Sequence, residues 1–349
     1  MTDINNQDIN NRNTAPVAVF VYKRADHTEE LLQSLAACSL AKETDVFIFA
    51  DGQKPVQDLE VFERDAREIK QVRSLINDSK WTECFRSLAI TEAESNRGLA
   101  NSIIAGVTEV VNRYGRIIVL EDDLVVARDF LQYMNAALDY FENDKDKFAI
   151  TGWSYPAKSL DEYKKDAWLF YRACSWGWGT WSDRWNKVEF DPKKADFEGK
   201  LKDSAWCDKF TRGGNDLPGM LRLQLDGKRD SWAIRWNAAA ADLDMMTVYP
   251  KQSRIMNNGR DGSGTHCGEA AYTQSDIQDL QASNQDSAAT GNLRVPEYDF
   301  SNIVPDKRLM KQAWYFESDT IDKKIRRNLR KIFVEHKVPD FIKKKVTRR

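Results

Sequence analysis

The chain has 349 residues, of which 42% are hydrophobic and 30% charged, and its formal net charge at pH 7 is −2. This length and apolar content exclude a disordered chain and predict one large core or two fused lobes. No apolar run approaches the roughly 20 residues that a membrane-spanning helix needs, and the polar N-terminus lacks the pattern of a secretory signal. Five scattered cysteines without a CxxC pair argue against a disulfide framework or a zinc site, so we expect a cytoplasmic protein.

The first 150 residues alternate short apolar runs with amphipathic stretches. The runs predict strands and the helical spacing of apolar residues predicts helices between them. In chain order we expect a strand at 17–22, a helix at 26–37, a strand at 46–50, a helix at about 56–76, a strand near 88–90, a helix through Ile103, Val107 and Val111, a strand at 116–120, a helix at 129–141 and a strand at 148–150. This alternation predicts an α/β fold with a mostly parallel, nucleotide-binding type of sheet, whose ligands bind outside the carboxyl ends of the strands.

The second half is rich in aromatic residues, since nine of the eleven tryptophans lie between Trp153 and Trp236. Two reasons for this enrichment stay open. Tryptophan faces can stack on sugar rings, but for any one of them packing in the core is the stronger expectation. Helices are predicted at 215–225 and 231–241, and a short strand at 247–249.

The acidic triplet Glu121-Asp122-Asp123 directly follows the fourth predicted strand. Three adjacent carboxylates repel each other and are costly to desolvate unless a cation compensates them. Carboxylates are hard oxygen donors that suit Mg²⁺ or Mn²⁺, and such an ion bridges and neutralises a diphosphate. The alternative is a helix N-terminus that carries acids because the helix dipole favours them.

Two common phosphate-binding motifs are missing from the chain. It has neither GxxxxGK[ST] nor a GxGxxG after a strand, which disfavours a P-loop enzyme and a dinucleotide enzyme. A phosphate charge would then be met by a metal and by single basic residues such as Arg24, which follows the first strand. A surface arginine is the alternative for Arg24.

Two further residues have open roles. Asp230 precedes an apolar periodic stretch, which is typical of a helix N-cap, but a general base is also compatible with it. His266 lies with Arg254 and Arg260 in a polar, Gly-rich segment whose composition suits a loop over a phosphate. A solvated histidine is the alternative and the stronger expectation from the sequence alone.

The C-terminus is strongly basic. Residues 323–349 hold twelve Lys and Arg against two acids, a net charge of +10, which leaves −12 on residues 1–322. Apolar residues recur at helical spacing among these lysines and arginines, so residues 321–349 predict a basic amphipathic helix on an anionic membrane surface. Packing of this helix on the body is the alternative, and nucleic-acid binding is disfavoured because the body is acidic.

In their order along the chain, these motifs resemble the type-A (GT-A fold) nucleotide-sugar glycosyltransferases, most closely the N-acetylglucosaminyltransferase I family. The likeness rests on six features in chain order. They are a strand ending near Arg24, a strand ending in Asp51-Gly52, the segment 121–130, the Gly-Trp-Gly segment at 177–179, the Asp-x-Trp segment at 230–232 and the segment 253–266. It covers about residues 15–268.

The resemblance implies roles for single residues. Asp51 would contact the nucleotide base, Arg24 the nucleotide near its phosphates, and Glu121 and Asp122 the ribose and the donor sugar. His266 would lie in a loop over the bound donor. Asp123 would ligate Mn²⁺ or Mg²⁺ at the donor diphosphate, and Asp230 would be the general base, although Ser231 stands where the family has a second acid.

The resemblance also implies a domain organisation. We expect a disordered N-terminus at 1–15, a nucleotide-sugar-binding half at 16–152 and an acceptor and catalytic half of the same domain at 153–270. A loop-rich region at 271–320 and the basic tail at 321–349 complete the chain.

The expected function is therefore a metal-dependent, inverting glycosyltransferase for hexosyl or N-acetylhexosaminyl groups. It would move a sugar from a nucleotide-sugar, we expect a UDP-sugar, to a hydroxyl of a glycan or lipid-linked glycan in bacterial surface polysaccharide synthesis. The family's animal members work in the Golgi lumen behind a membrane anchor, whereas this chain is expected at the inner face of the cell membrane. The alternative is a catalytically inactive sugar-nucleotide-binding or peripheral membrane scaffold on the same fold.

Overall fold

A computed structural model describes residues 14–191, 197–259 and 298–318. Its strands are β1 (Val17–Val21), β2 (Asp45–Ala50), β3 (Ser87–Glu92), β4 (Arg116–Glu121), β5 (Leu124–Val126), β6 (Lys147–Thr151), β7 (Ala167–Phe170), β8 (Trp178–Trp181), β9 (Met246–Pro250) and β10 (Ile255–Asn257). The α-helices are α1 (Ala25–Ala36), α2 (Leu59–Ile76), α3 (Leu99–Tyr114), α4 (Phe130–Tyr140), α5 (Ser182–Trp185), α6 (Phe197–Lys200), α7 (Ser204–Phe210), α8 (Leu217–Leu225), α9 (Trp232–Asp242) and α10 (Lys307–Glu317). Short 3₁₀ turns lie at Ala41–Glu43, Ser79–Trp81, Lys158–Leu160 and Thr211–Gly213.

Eight of these strands form one central sheet in the order β3-β2-β1-β4-β8-β6-β9-β7, and β5 and β10 form a separate two-stranded ribbon. Strands β3, β2, β1 and β4 are parallel, and β9 is parallel to β6. Strand β8 is antiparallel to both β4 and β6, and β7 is antiparallel to β9. The predicted α/β fold with a mostly parallel sheet flanked by helices is confirmed.

Both faces of the sheet are buried. Val17, Val19 and Val21 of β1 belong to one apolar cluster with residues of α1, α2 and α4. Ala18 and Phe20 belong to the cluster on the other face, with residues of α3 and α9. A strand that packs on both faces reads as a continuous apolar run, which is why β1 was predictable from its sequence.

Helix α3 ends in a left-handed glycine. Gly115 has φ +80 and caps the last turn, and β4 begins at the next residue, Arg116. Glycine is favoured there because a Cβ is disfavoured at positive φ. This tight turn sets β4 in register with β1, with Phe20 beside Glu121.

Several elements were not predicted from the sequence, namely β5, β7, β8, β10, α5, α6, α7 and α10. Helix α10 lies inside the segment 271–320 for which a loop-rich region was expected. In the described ranges, no helix is long and apolar enough to cross a membrane. The predicted amphipathic tail, 321–349, and most of the predicted N-terminus, 1–15, lie outside the described residues.

Candidate active site at the carboxyl edge of the sheet

Polar residues follow three neighbouring strands where their carboxyl ends meet. The chain leaves β1 towards Arg24, β2 at Asp51 and β4 at Glu121. Strand β1 lies between β2 and β4 and is parallel to both. The sheet therefore brings Arg24, Asp51 and the acidic triplet to one edge, as a parallel order requires.

Arg24 lies against the acidic triplet. Its Nη2 is 3.1 Å from Oδ2 of Asp123, its Nε is 3.3 Å from Oδ2 of Asp122, and Nη2 also donates to Oδ1 of Asp122. The two aspartate side chains are mostly buried. The other terminal nitrogen of Arg24, Nη1, is buried and has no hydrogen-bond partner within the described part of the chain. A guanidinium with an unused donor suits an anionic oxygen such as that of a phosphate.

Burial raises the pKa values of two carboxyl groups of the triplet, Glu121 and Asp122. Burial, followed by the charges of Asp123 and Asp122, raises the pKa of Glu121 to about 8, although Arg24 opposes this. Burial also raises the pKa of Asp122 above its usual value, against the attraction of Arg24. An added cation at this position would relieve the repulsion, because a nearby positive charge favours ionised carboxylates.

The ribbon of β5 and β10 packs beside Asp123. The Asn258 amide donates to the Asp123 carbonyl at 2.7 Å, and the Asn257 side chain donates to Oδ1 of Asp123 at 3.4 Å. Gly259 follows, and its amide donates to the Asn257 side chain at 3.1 Å. No role was predicted for Asn257, Asn258 and Gly259, although they lie in the segment 253–266, which contributes to the resemblance.

Asp51 lies at the expected edge, where backbone and side-chain donors surround it. Its Oδ1 accepts from the Gly52 and Arg97 amides, both at 2.8 Å, and its Oδ2 accepts from the Gly98 amide and the Asn96 side chain, both at 3.0 Å. These bonds hold the turn that starts α3. A contact from Asp51 to a nucleotide base, which stays a prediction, would have to share or replace one of them.

Asp230 reaches the same edge through α9. Because β9 is parallel to β4 and starts just after α9 ends, the N-terminus of α9 lies at the carboxyl edge. The N-cap is Ser231, whose hydroxyl accepts from the Ile234 amide at 3.4 Å, so the N-cap interpretation of Asp230 is wrong. The Asp230 side chain is 61% exposed and pairs with Arg235 at 2.8 Å.

Most tryptophans of the second half pack in the core. Trp168, Trp178, Trp181, Trp185 and Trp236 are fully buried. Trp178 contacts Trp236 and Trp232 with ring centroids 4.2 and 5.2 Å apart, and so ties α9 to the sheet. The packing interpretation holds for these residues.

The loop expected over a phosphate is described only in part. Arg254 pairs with Asp129 at 3.0 Å and lies over the rings of Tyr133 and Tyr298, at 4.2 and 5.3 Å from their centroids. It therefore holds the strand β10 in place. Arg260 and His266 lie outside the described residues.

A divalent ion at the edge would have to share the Asp123 carboxylate with Arg24 and Asn257, which donate to its two oxygens. In the ranges that the structure covers, no three His, Cys, Asp or Glu side chains are arranged to hold a metal. Mg²⁺ bound at nucleotides takes one or two carboxylates together with phosphate oxygens and water, so a single carboxylate is sufficient from the protein. Asp123 is the side chain expected to supply it.

Comparison with known proteins supports the resemblance seen in the motifs. Residues 105–205 match the GNT-I family. The match includes the acidic triplet and the Gly-Trp-Gly segment and ends before Asp230. A similar protein of Arabidopsis thaliana, alpha-1,3-mannosyl-glycoprotein 2-beta-N-acetylglucosaminyltransferase, is 30% identical over 90 residues. The match covers 23% of this chain, and the chain spans about a fifth of that relative's length (20%). The predicted resemblance to GT-A glycosyltransferases is confirmed.

Solved structures of S. aureus TarS also align with the chain. TarS 1–349 is 14% identical, with a TM-score of 0.33, over 53% of both chains. The same fragment in complex with UDP is 16% identical, with a TM-score of 0.33 and the same coverage. The fold assignment rests on the sheet order described above.

Proposed function

We propose that the chain is a metal-dependent, inverting glycosyltransferase that transfers a sugar from a UDP-sugar to a hydroxyl of a glycan or lipid-linked glycan. The observation that carries the proposal is the cluster of Arg24, Asp122 and Asp123 at the carboxyl edge of β1 and β4. Nucleotides bind at this edge in open α/β sheets. The GNT-I match over residues 105–205 supports the same activity.

Donor binding is assigned to residues of the edge. Asp123 would hold Mn²⁺ or Mg²⁺, and such an ion, when bound, neutralises charge on the departing diphosphate. Arg24 would give its unused Nη1 to a phosphate oxygen. Glu121 and Asp122 would face the ribose and the sugar, and His266 would lie near the pyrophosphate.

Asp230 is assigned the proton transfer. Its carboxylate would take the proton of the acceptor hydroxyl as that oxygen bonds to C1 of the donor sugar. The bond from C1 to the phosphate oxygen breaks in the same step, and the nucleoside diphosphate leaves with the electron pair. This single displacement inverts C1.

The cellular setting is part of the proposal. A lipid-linked or surface-glycan acceptor would be modified at the inner face of the cell membrane in bacterial surface polysaccharide synthesis. The basic segment 321–349, with its net positive charge, would bind anionic lipid there. A vesicle-sedimentation assay that compares the full chain with the chain truncated at residue 318 tests this part alone. If the truncated chain binds anionic vesicles as well as the full chain, the basic segment 321–349 is not the membrane-binding element.

The experiment for the activity is a panel of sugar nucleotides with Mn²⁺, read out as released nucleoside diphosphate with and without acceptor glycans. Asp230→Asn should lose transfer by about 10²-fold or more while donor binding in calorimetry stays unchanged. Lys228→Gln, on an exposed neighbour whose one ion pair among the described residues is with Asp226, is the matched control. Normal turnover by Asp230→Asn would exclude this base, and a wild type that neither binds nor cleaves any donor would favour the scaffold alternative.

A further inference from the structure

Arg235 is a buried cation whose guanidinium is fixed by three different partners. Its side chain is only 6% exposed. Nη1 donates to the Phe190 carbonyl at 2.6 Å, Nε donates to the Ser231 carbonyl at 3.1 Å, and Nη2 donates to Oδ1 of Asp230 at 2.8 Å. Since the two carbonyls hold the planar fork from different segments, its third bond has a fixed direction.

Asp230 is the partner at the end of that third bond. Its Oδ1 accepts from Arg235, whereas Oδ2 accepts no hydrogen bond from the described residues. The side chain is 61% exposed, so Oδ2 is open to a ligand at the carboxyl edge. One oxygen is therefore anchored and the other is presented outwards.

The backbone under Asp230 is held as well. The Ser231 amide donates to the Gln224 side chain at 2.6 Å, and Gln224 is itself buried in α8. The Ser231 hydroxyl caps α9. On the other side of Asp230, the Arg229 amide donates to the Leu223 carbonyl at 3.2 Å, so the short segment between α8 and α9 is held on both sides of Asp230.

We propose that Arg235 is the positioning residue of Asp230: it holds Oδ1 so that Oδ2 faces the acceptor hydroxyl. The inference rests on the proposed function, because it needs Asp230 to be the base. A carboxylate that is anchored through one oxygen has fewer orientations, and a misplacement of about 1 Å at a reacting group costs about 10²-fold in rate. Arg235 also supplies the positive charge beside Asp230, while Asp191 is a second acid that acts on Arg235.

The test compares Arg235→Gln and Arg235→Lys with Arg222→Gln, which removes an exposed arginine of α8 whose side chain makes no ion pair with Asp230. We expect Arg235→Gln to lower kcat by about 10²-fold with the donor KM nearly unchanged. Arg235→Lys keeps the positive charge but loses the planar fork, so its kcat should fall as well, with the donor KM again nearly unchanged.

Thermal unfolding and donor calorimetry on each variant separate positioning from folding. If Arg235→Gln does not fold, Arg235→Lys carries the test through its kcat loss at unchanged KM. A rate loss in these variants that only follows the unfolded fraction, or a folded Arg235→Gln with the kcat of the wild type, overturns the inference. These results leave the proposed function intact when Asp230→Asn is inactive, whereas an active Asp230→Asn removes the base itself.

Discussion

Gly259 lies directly against the carboxyl group of Asp123. A Cβ built on Gly259 would be 2.8 Å from Cβ and 2.9 Å from Cγ of Asp123, closer than real carbon atoms approach. The chain after β10 is therefore packed on the side chain to which the metal is assigned. A residue with any side chain at position 259 has to push Asp123 or the ribbon away.

The first prediction concerns this contact. Gly259→Ala should weaken UDP binding in Mn²⁺ by about tenfold or more, because the added methyl group displaces the Asp123 carboxylate. A tenfold loss of affinity corresponds to about 1.4 kcal/mol of binding free energy. Calorimetry of UDP in Mn²⁺ measures it. Gly219→Ala, on α8, is the matched control because nothing lies within 4 Å of its added methyl group. Equal affinities for the two variants would contradict the packing of Gly259 on the site.

Arg24 is predicted to act as an internal counter-ion of the triplet. Arg24→Met should destabilise the protein in EDTA by about 2 kcal/mol, less than the 3–5 kcal/mol of a fully buried pair, because Arg24 is partly exposed. Mn²⁺ should then raise the melting temperature more in the variant than in the wild type, as the ion replaces the lost charge.

Thermal scans with and without Mn²⁺ measure both effects. Arg64→Met removes an arginine that is 55% exposed and pairs with Asp65 at 3.5 Å. It should cost no more than about 1 kcal/mol and leave the Mn²⁺ response unchanged. If Arg24→Met were as stable in EDTA as the wild type, the counter-ion role would be excluded.

The opposite edge of the sheet gives a prediction about pH. Burial alone would raise the pKa of Asp45, but hydrogen bonds from Arg86, Ser87 and Tyr114 outweigh it and hold the pKa below its usual value. A carboxyl group whose pKa is lower in the folded than in the unfolded state stabilises the protein at pH values above its unfolded pKa, about 3.9 for Asp. This stabilisation is lost as the pH falls through the folded-state pKa.

Asp45→Asn should therefore lower the free energy of unfolding by about 2 kcal/mol at pH 7 and by much less at pH 3. Urea unfolding at the two pH values measures the difference. Asp161→Asn, on an exposed carboxylate that forms no ion pair with any described residue, is the control and should change little at either pH. An equal loss for Asp45→Asn at both pH values would contradict the charge-based account.

The tryptophan core gives a prediction that depends on a single hydrogen bond. Trp178 and Trp168 are both fully buried. Nε1 of Trp178 has no partner within the described part of the chain, whereas Nε1 of Trp168 is 3.2 Å from both the Ser154 hydroxyl and the Pro250 carbonyl. Trp168→Phe should therefore cost about 1 kcal/mol more than Trp178→Phe. Chemical unfolding of the two variants decides it, and the reverse order would be inconsistent with this packing.

Much of the first half of the chain could be predicted because its signals are local. Strands β1, β2 and β4 are continuous apolar runs, and an acid or an arginine follows each of them. The start of α2 was predicted too early, near residue 56. The helix begins at Leu59, because the Asp58 side chain accepts from the Glu60 and Val61 amides as its N-cap.

The features that were missed depend on contacts between distant residues. The pairing of β10 with β5 joins Asn257 to Leu124, and no local pattern indicates that partner. The four donors around Asp51 come partly from a turn 45 residues further along, so the strand-end aspartate was visible but its hydrogen bonds were not. Strand β8 has the sequence Trp-Gly-Thr-Trp, which lacks the branched apolar run that marks the other strands.

Helix α10 has two local signals in the sequence, an N-cap and a short apolar stripe. Asp306 accepts from the Arg308 and Leu309 amides as an N-cap, and Leu309 and Ala313 are buried at a helical spacing of four. The surrounding polar sequence concealed this short stripe.

The central claim is that Asp123 ligates a cation that holds the diphosphate of the donor. UDP binding to the wild type and to Asp123→Asn, each measured by calorimetry in Mn²⁺ and in EDTA, tests it most directly. We predict that EDTA weakens UDP binding to the wild type by at least about 30-fold, which is 2 kcal/mol, and that Asp123→Asn shows the weak affinity in both buffers. Wild-type affinity that is the same in Mn²⁺ and EDTA, or a full Mn²⁺ response in Asp123→Asn, would contradict the claim.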